Sequence, residues 1–149
     1  MPQSFARINI HIVFSTKNRR PMIALEWEDR LCGVIGGSLR TVKSTLLCAG
    51  GIEDHVHLLI SLARDLSVSD AVRDIKTDSS KWVHNKFGMS EFQWQRGYSA
   101  FSVSHSQLGS VRTYFAGQKE HHRKQTYQDE VRQLLRLHEI EPDEEHMWD

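Results

Sequence analysis

The run Gly51-Ile52-Glu53-Asp54-His55-Val56-His57-Leu58-Leu59-Ile60 decides how this chain is to be read. In an extended strand residues i and i+2 share a face, so His55 and His57 lie on one side while Val56 and Leu58 turn into a core. Two imidazoles on one face can grip a single metal ion, an arrangement suited to metal-assisted phosphate chemistry. The spacing alone is thin, because nine histidines scattered over this length would give it roughly 0.5 times by chance. A strand whose polar face merely carries histidine accounts for the pair equally well. A third ligand and something for the metal to act on must therefore be found elsewhere.

Working outward, Arg7 to Ser15 alternates and is rich in β-branched residues, which predicts a strand followed by the basic turn Lys17-Asn18-Arg19-Arg20-Pro21. Leu25 to Val42 places Leu25, Leu31, Val34, Ile35, Leu39 and Val42 at helical spacing, with Glu26, Glu28 and Asp29 in the first turn. Thr45 to Ala49 predicts a second strand, Gly50-Gly51 a turn or bulge, and Ile52 to Leu62 a third strand carrying the histidines. Ser67 to Phe87 reads as a second helix with Ser67 or Ser69 as N-cap and Gly88 as its stop. Tyr98 to Ser104 alternates as a fourth strand, and helices are expected from Gln107 to about Lys124 and from about Tyr127 to His138. The order β-α-β-β-α-β with additional C-terminal helices predicts an α+β fold of the ferredoxin-like kind, an antiparallel sheet with helices on one face.

At 149 residues, 39% hydrophobic and 26% charged, the chain fits a single domain over 1–149 with an acidic tail from about 139. The apolar stretch Ile8 to Phe14 is interrupted by Asn9 and His11 and is too short for a membrane span or an export signal, so the expected location is the cytoplasm. Cys32 and Cys48 lie outside any Cys-x-x-Cys spacing and are expected to be buried thiols. Net charge is zero, yet residues 1–125 hold 17 basic against 11 acidic side chains, and residues 126–149 hold 2 against 8. A mildly basic body with an acidic tail is compatible with phosphate binding.

The expected third helix carries the second half of a site. Tyr114 and Gln118 are four apart and share a face, with His121 and His122 one turn further along. A tyrosine hydroxyl would thus sit beside an amide oxygen able to complete a metal site. The competing reading makes Tyr114 an amphipathic core residue and Gln118 polar surface.

Taken together, Asp54-His55-Val56-His57-Leu58-Leu59, the segment Trp94-Gln95-Arg96-Gly97-Tyr98-Ser99-Ala100-Phe101-Ser102-Val103, and Tyr114-x-x-x-Gln118-x-x-His121-His122 resemble the single-tyrosine HUH transposases. These are the small single-strand DNA transposases of the insertion-sequence two-hundred/six-hundred-and-five group and their repeat-associated relatives. His11-Ile12-Val13-Phe14-Ser15-Thr16-Lys17 and Ser79-Ser80-Lys81-Trp82 extend the resemblance, which runs from about Phe5 to His138. It implies a homodimer in which His55, His57 and Gln118 bind a divalent cation and Tyr114 attacks a DNA phosphate. It also implies recognition of a folded DNA hairpin, with the tyrosine helix able to pack against the histidine pair of a partner subunit.

A free tyrosine has a pKa near ~10 and is a poor nucleophile at neutral pH unless it or the phosphate is activated. A metal on a non-bridging phosphate oxygen makes phosphorus more electrophilic and holds the reacting atoms in line. The leaving group would be a 3′-OH and the product a 5′-phosphotyrosine, an exchange of esters that needs no nucleotide cofactor. Two imidazoles and an amide oxygen suit Mn²⁺ and accommodate Mg²⁺, with zinc still open. His121 or His122 is a candidate partner behind the ligands, and at most one is expected to face the site because neighbours on a helix point about 100° apart.

Single-stranded DNA would be held by a basic track and by aromatics on which bases stack. The candidates are Lys17, Arg19 and Arg20 in the first turn, Arg73, Lys76 and Lys81 on the second helix, and Trp94, Arg96 and Tyr98 nearby. A histidine-triad nucleotide hydrolase also begins His-hydrophobe-His, but it needs a further histidine where this chain has Leu59. The non-enzymatic rival is a ferredoxin-like nucleic-acid-binding module that uses the same basic and aromatic residues without metal or nucleophile.

Overall fold

The computed structural model describes residues 3–122 and 124–149. Strand β1 (Ile8–Ser15), helix α1 (Glu28–Thr41), strands β2 (Thr45–Ile52) and β3 (His55–Leu62), helix α2 (Val68–Phe87) and strand β4 (Ser99–Val103) follow in the predicted order. The strands form one sheet in the order β2-β3-β1-β4, every neighbour antiparallel, which is the α+β ferredoxin-like arrangement. In the register of β1 on β3, Val13 stands opposite His57 and Ile12 opposite Leu58.

Strict alternation gives the sheet two faces. Ile12 and Phe14 of β1 and Val56, Leu58 and Ile60 of β3 turn toward α1 and α2, where they pack with Leu31, Ile35, Leu39, Val72 and Ile75. Burying each such side chain contributes roughly 1.5–3 kcal/mol, and this layer is the main core. Helix α2 begins where the Ser67 hydroxyl accepts from Asp70 N at 3.1 Å and ends at Gly88 in the left-handed region, φ 63°.

The opposite face is covered too. Helices α3 (Leu108–Ala116), α4 (Gln118–His121) and α5 (Tyr127–Leu137) lie over it, and Val13 and Phe101 pack there with Tyr127, Val131 and Leu135. Thr126 caps α5 by accepting from Asp129 N at 3.1 Å. Cys32 and Cys48 are free and partly buried, and burial pushes the Cys32 thiol up to about 11, which leaves it unreactive.

Two local expectations change. Gly50 and Gly51 lie inside β2, and the turn is made by Glu53 and Asp54 instead. A Cβ on Gly50 would stand 2.7 Å from the Phe115 carbonyl oxygen, so this glycine lets α3 approach the sheet. The irregularity of β2 lies at Leu47, which pairs with no β3 residue and whose carbonyl accepts from Arg112 of α3 at 2.7 Å. The helix expected from Gln107 to Lys124 is broken at Gly117, whose N–H still bonds back to Thr113 and Tyr114. The acidic tail, finally, is docked onto the fold. Trp148 packs on the second core between Arg19 and Arg132, Glu144 accepts from Arg132 at 2.6 and 3.0 Å, and the Asp149 carbonyl accepts from Gly97 N at 2.9 Å.

Candidate metal and nucleophile site

Strand β3 delivers His55 and His57 to the face beneath α3, α4 and α5, both fully buried. What they meet is Glu130, a carboxylate on α5 that is itself 1% exposed. His57 Nε2 donates to Glu130 Oε1 at 2.9 Å and His122 Nε2 donates to the same oxygen at 3.0 Å, with His55 Nε2 3.5 Å away. The other oxygen, Oε2, accepts from the Tyr114 hydroxyl and from Gln118 Nε2 at 3.1 Å, and His121 Nε2 lies 3.5 Å from it. Tyr114, Gln118 and the two histidines of the same chain therefore converge on one residue.

Behind the imidazoles, His55 Nδ1 donates to Asp54 at 2.7 Å and His57 Nδ1 pairs with His11 Nε2 at 2.8 Å. Carboxylate or imidazole partners of this kind fix ring orientation in metal-binding histidines. Burial opposes a charge on His55, but the bond to Asp54 and the nearby Glu130 outweigh it and raise its pKa. Burial lowers His57 to about 4 and His11 to about 3, so both are neutral near pH 7, the form in which an imidazole can bind a metal ion. Burial alone would raise Glu130, but hydrogen bonds from His122 and His57, with the His55 imidazole close by, hold it far below the usual carboxylate range. Burial, reinforced by Glu130, raises Tyr114 above an ordinary phenol, so its hydroxyl keeps its proton in this arrangement.

The residues fit a cation. Nitrogen or oxygen atoms of His55, His57, His122 and Glu130 lie within 4.8 Å of one another, close enough to share one ion. His55 Nε2, Gln118 Oε1 and His121 Nε2 are buried without a hydrogen-bond partner among the described residues, and such atoms are costly unless something occupies the space between them. The cluster lies between two openings. A cavity of about 530 Å³ is lined by His11, Phe101, Val111, Tyr114, His121 and Glu130, and one of about 330 Å³ by Glu28, Glu53, Lys119 and His122.

Expected site residues divide into those brought together and those placed elsewhere. His55, His57, Tyr114 and Gln118 meet as just described. Both His121 and His122 reach Glu130, against the expectation of one at most, because His122 is the C-cap of a single-turn helix after the Gly117 break. Lys17, Lys76, Trp94 and Arg96 share a different cavity of about 750 Å³ with Trp148 and Asp149. Two of these are not free for DNA. The Trp94 ring is 7% exposed, packs edge-on against Phe14 and Phe92, and bonds to Ser79 Oγ at 2.9 Å, which makes it core and no stacking surface. The Lys76 ammonium donates to the carbonyls of Gln95, Arg96 and Gly97 at 2.7, 3.2 and 2.7 Å and so ties down the loop. Arg73 is paired with Asp70 and Asp74, while Arg20 and Lys81 are exposed and Tyr98 is 39% exposed. Glu130 and His11 were not foreseen. The available signal for Glu130 was an acid among Tyr127, Val131 and Leu135 on one stripe of α5; for His11, it was the alternation with Asn9 and Val13.

Residues 4–118 match the family described as IS200-like transposases. The chain belongs to that family. Within it, the transposases for insertion sequence element IS200 of Salmonella typhimurium and Salmonella typhi are each 31% identical over 117 residues, covering 74% of this chain and 76% of theirs. The sheet and helices of this family member also superpose on a candidate transposase of Deinococcus radiodurans R1, with TM-score 0.63, 20% identity, and coverage of 79% of this chain and 98% of that one. A REP-associated tyrosine transposase bound to a REP hairpin gives TM-score 0.58 at 15% identity, covering 78% and 70%. Both likenesses bear on the fold, where they agree with the four-stranded antiparallel sheet. Among the described residues no helix is long and apolar enough to cross a membrane.

Proposed function

We propose that this IS200-like transposase cleaves and rejoins single-stranded DNA at hairpin-bearing element ends, with Tyr114 as the nucleophile and a 5′-phosphotyrosine as the intermediate. The observation that carries this reading is the meeting of the Tyr114 hydroxyl, His55, His57 and Gln118 around one buried carboxylate. A tyrosine kept only for packing has no need of so many ionisable neighbours. His55 and His57 would hold a Mg²⁺ or Mn²⁺ ion together with Gln118, whose Oε1 has no hydrogen-bond partner among the described residues. When bound, such an ion would polarise the phosphate and stabilise charge in the transition state.

The protein's own groups do the rest. Asp54 and His11 hold the imidazole rings in place, and Glu130 holds the hydroxyl of Tyr114 inside the cluster. Attack forms the bond from Tyr114 Oη to phosphorus and breaks the bond to the 3′ oxygen, which leaves with a proton. The tyrosine ester keeps the energy of the broken bond, so a second 3′-OH can reverse the step. The hairpin would lie against exposed Lys17 and Arg96 beside the 750 Å³ cavity, in keeping with the hairpin carried by the REP-associated structural relative. The homodimer implied by the resemblance, and a place in the cytoplasm with the DNA, belong to the same proposal.

Incubation with Mn²⁺ and a hairpin-bearing single-stranded DNA should give a covalent protein–DNA adduct on a denaturing gel. Tyr114→Phe should form none while still binding the hairpin. Cleavage by Tyr114→Phe at the wild-type rate would remove the nucleophile assignment, and hairpin binding without any adduct in the wild type would favour a non-catalytic binding module.

A further inference from the structure

The two oxygens of Glu130 face different groups. Oε1 is directed at three imidazole nitrogens, His57 Nε2 at 2.9 Å, His122 Nε2 at 3.0 Å and His55 Nε2 at 3.5 Å. Oε2 is directed at the nucleophile side, where it accepts from the Tyr114 hydroxyl and from Gln118 Nε2. Other rings also lie against both halves, such as His121 between Tyr114 and His122, but among the described residues Glu130 is the side chain that hydrogen-bonds to both. Helix α5 holds this carboxylate with Tyr127, Val131 and Leu135, which anchor it to the second core on either side of Glu130.

From this division we infer that Glu130 is a shared carboxylate, a ligand of the ion through Oε1 and a positioning group for Tyr114 through Oε2. The inference rests on the proposed metal-and-tyrosine reading and extends it, since it adds a charged oxygen to the two imidazoles and gives the Gln118 amide a second task. Two imidazoles and a neutral amide bring no negative charge to a divalent ion. Adding a carboxylate makes the donor set one that Mn²⁺ and Mg²⁺ favour, because both prefer hard, charged oxygen. Gln118 Nε2 then steadies Oε2 by hydrogen bonding, while its own Oε1 stays available to the ion. The histidines are suited to the exchange. His55 already donates through Nδ1 to Asp54, which leaves Nε2 to face the ion. His57 can carry its proton on Nδ1 against His11 Nε2 in place of Nε2 against Glu130.

A carboxylate shared in this way fixes the distance between ion and nucleophile. With Oε1 on the cation and Oε2 on the hydroxyl, Tyr114 has a set place beside the phosphate oxygen that the cation would draw in. A carboxylate serving only as a hydrogen-bond hub for α5 would do neither, and the two roles separate in a measurement of metal affinity.

The test is titration of the metal-free protein with Mn²⁺, following the free ion by electron paramagnetic resonance. Glu130→Gln keeps the shape but removes the charge, and it should weaken Mn²⁺ binding at least about tenfold. Tyr114→Phe should leave binding unchanged. At saturating Mn²⁺, Glu130→Gln should also lower the cleavage rate without changing hairpin affinity. Mn²⁺ affinity within twofold of wild type in Glu130→Gln would overturn the inference. His57→Ala separates the two levels: if it too binds Mn²⁺ normally, the proposed ion site itself is wrong, whereas its loss beside a normal Glu130→Gln removes only the role of Glu130. Should Glu130→Gln not fold, the wild type decides. Crystals soaked in Mn²⁺ should show an anomalous peak about 2.0–2.2 Å from Glu130 Oε1, and a peak on His55 and His57 with Glu130 outside coordination range would overturn it.

Discussion

His57 and Leu58 are neighbours on β3, equally buried, and they point to opposite faces of the same sheet. Leu58 enters a layer in which the neighbours are aliphatic or aromatic, and where a polar atom is buried among them, as at the Trp94 indole N–H, it has its partner in Ser79 Oγ. His57 enters a layer of comparable depth filled with imidazoles, a carboxylate, an amide and a phenol. Depth therefore does not separate core from site in this protein. What separates them is whether the buried atoms are content: His55 Nε2, Gln118 Oε1 and His121 Nε2, left without hydrogen-bond partners, all belong to the second layer.

The contrast can be broken one residue at a time. His57→Ala should cost at least about a thousandfold in cleavage, about 4 kcal/mol of transition-state stabilisation, with hairpin binding within a few-fold of wild type. Equal loss of both in a gel-shift and cleavage assay would mean that the histidine is structural. Leu58→Ala, by contrast, should lower unfolding stability by about 3 kcal/mol in urea and leave the Mn²⁺ affinity of the folded protein unchanged. Gly50→Ala tests the contact between the sheet and α3. Its methyl would press on the Phe115 backbone and cost about 2 kcal/mol, and it should slow cleavage as well, because Phe115 adjoins Tyr114.

Acid should affect the two layers differently. Burial lowers His57 to about 4 and His11 to about 3 from an ordinary 6.5, so below pH 6.5 the unfolded chain binds protons that the folded chain refuses. Stability should then fall as pH drops from 6.5 toward 4, by up to about 1.4 kcal/mol per pH unit for each imidazole. Urea melts of wild type and His11→Gln at pH 7 and pH 5 check the sign, and a smaller pH effect is expected in the variant. The smallest effect should come from the other side of the sheet, where Ser67→Ala removes the cap of α2 at a cost of about 1 kcal/mol without touching cleavage.

The two layers also differed in how far they could be read from residues alone. Alternation in Arg7 to Ser15 placed β1 to within a residue, since strand burial is written at a period of two, whereas the strand expected over Ile52 to Leu62 ends with β3 but begins before the turn at Glu53 and Asp54. Ser67 and Gly88 marked α2 because capping is a local interaction. Glu130 is not legible in the sequence because the histidine pair it meets is distant, His57 73 positions away, and an acid on a helix ordinarily faces solvent. Trp94 and Lys76 misled for the related reason that aromatic and basic residues suit DNA and core equally well until their contacts are known. The break at Gly117 had only a lone glycine to announce it, and glycine is tolerated in many unbroken helices.

The pairing of β1 with β3 sets Val13 against His57 and Ile12 against Leu58. Were β3 to slip by one position, every side chain would change sides, and two imidazoles would enter the oily layer as Val56 and Leu58 displaced them beneath α3 and α5. Neither layer could tolerate its new contents. The same pairing that builds the core thus proofreads the layer of the candidate site, and the cluster should appear complete with the native sheet or not at all.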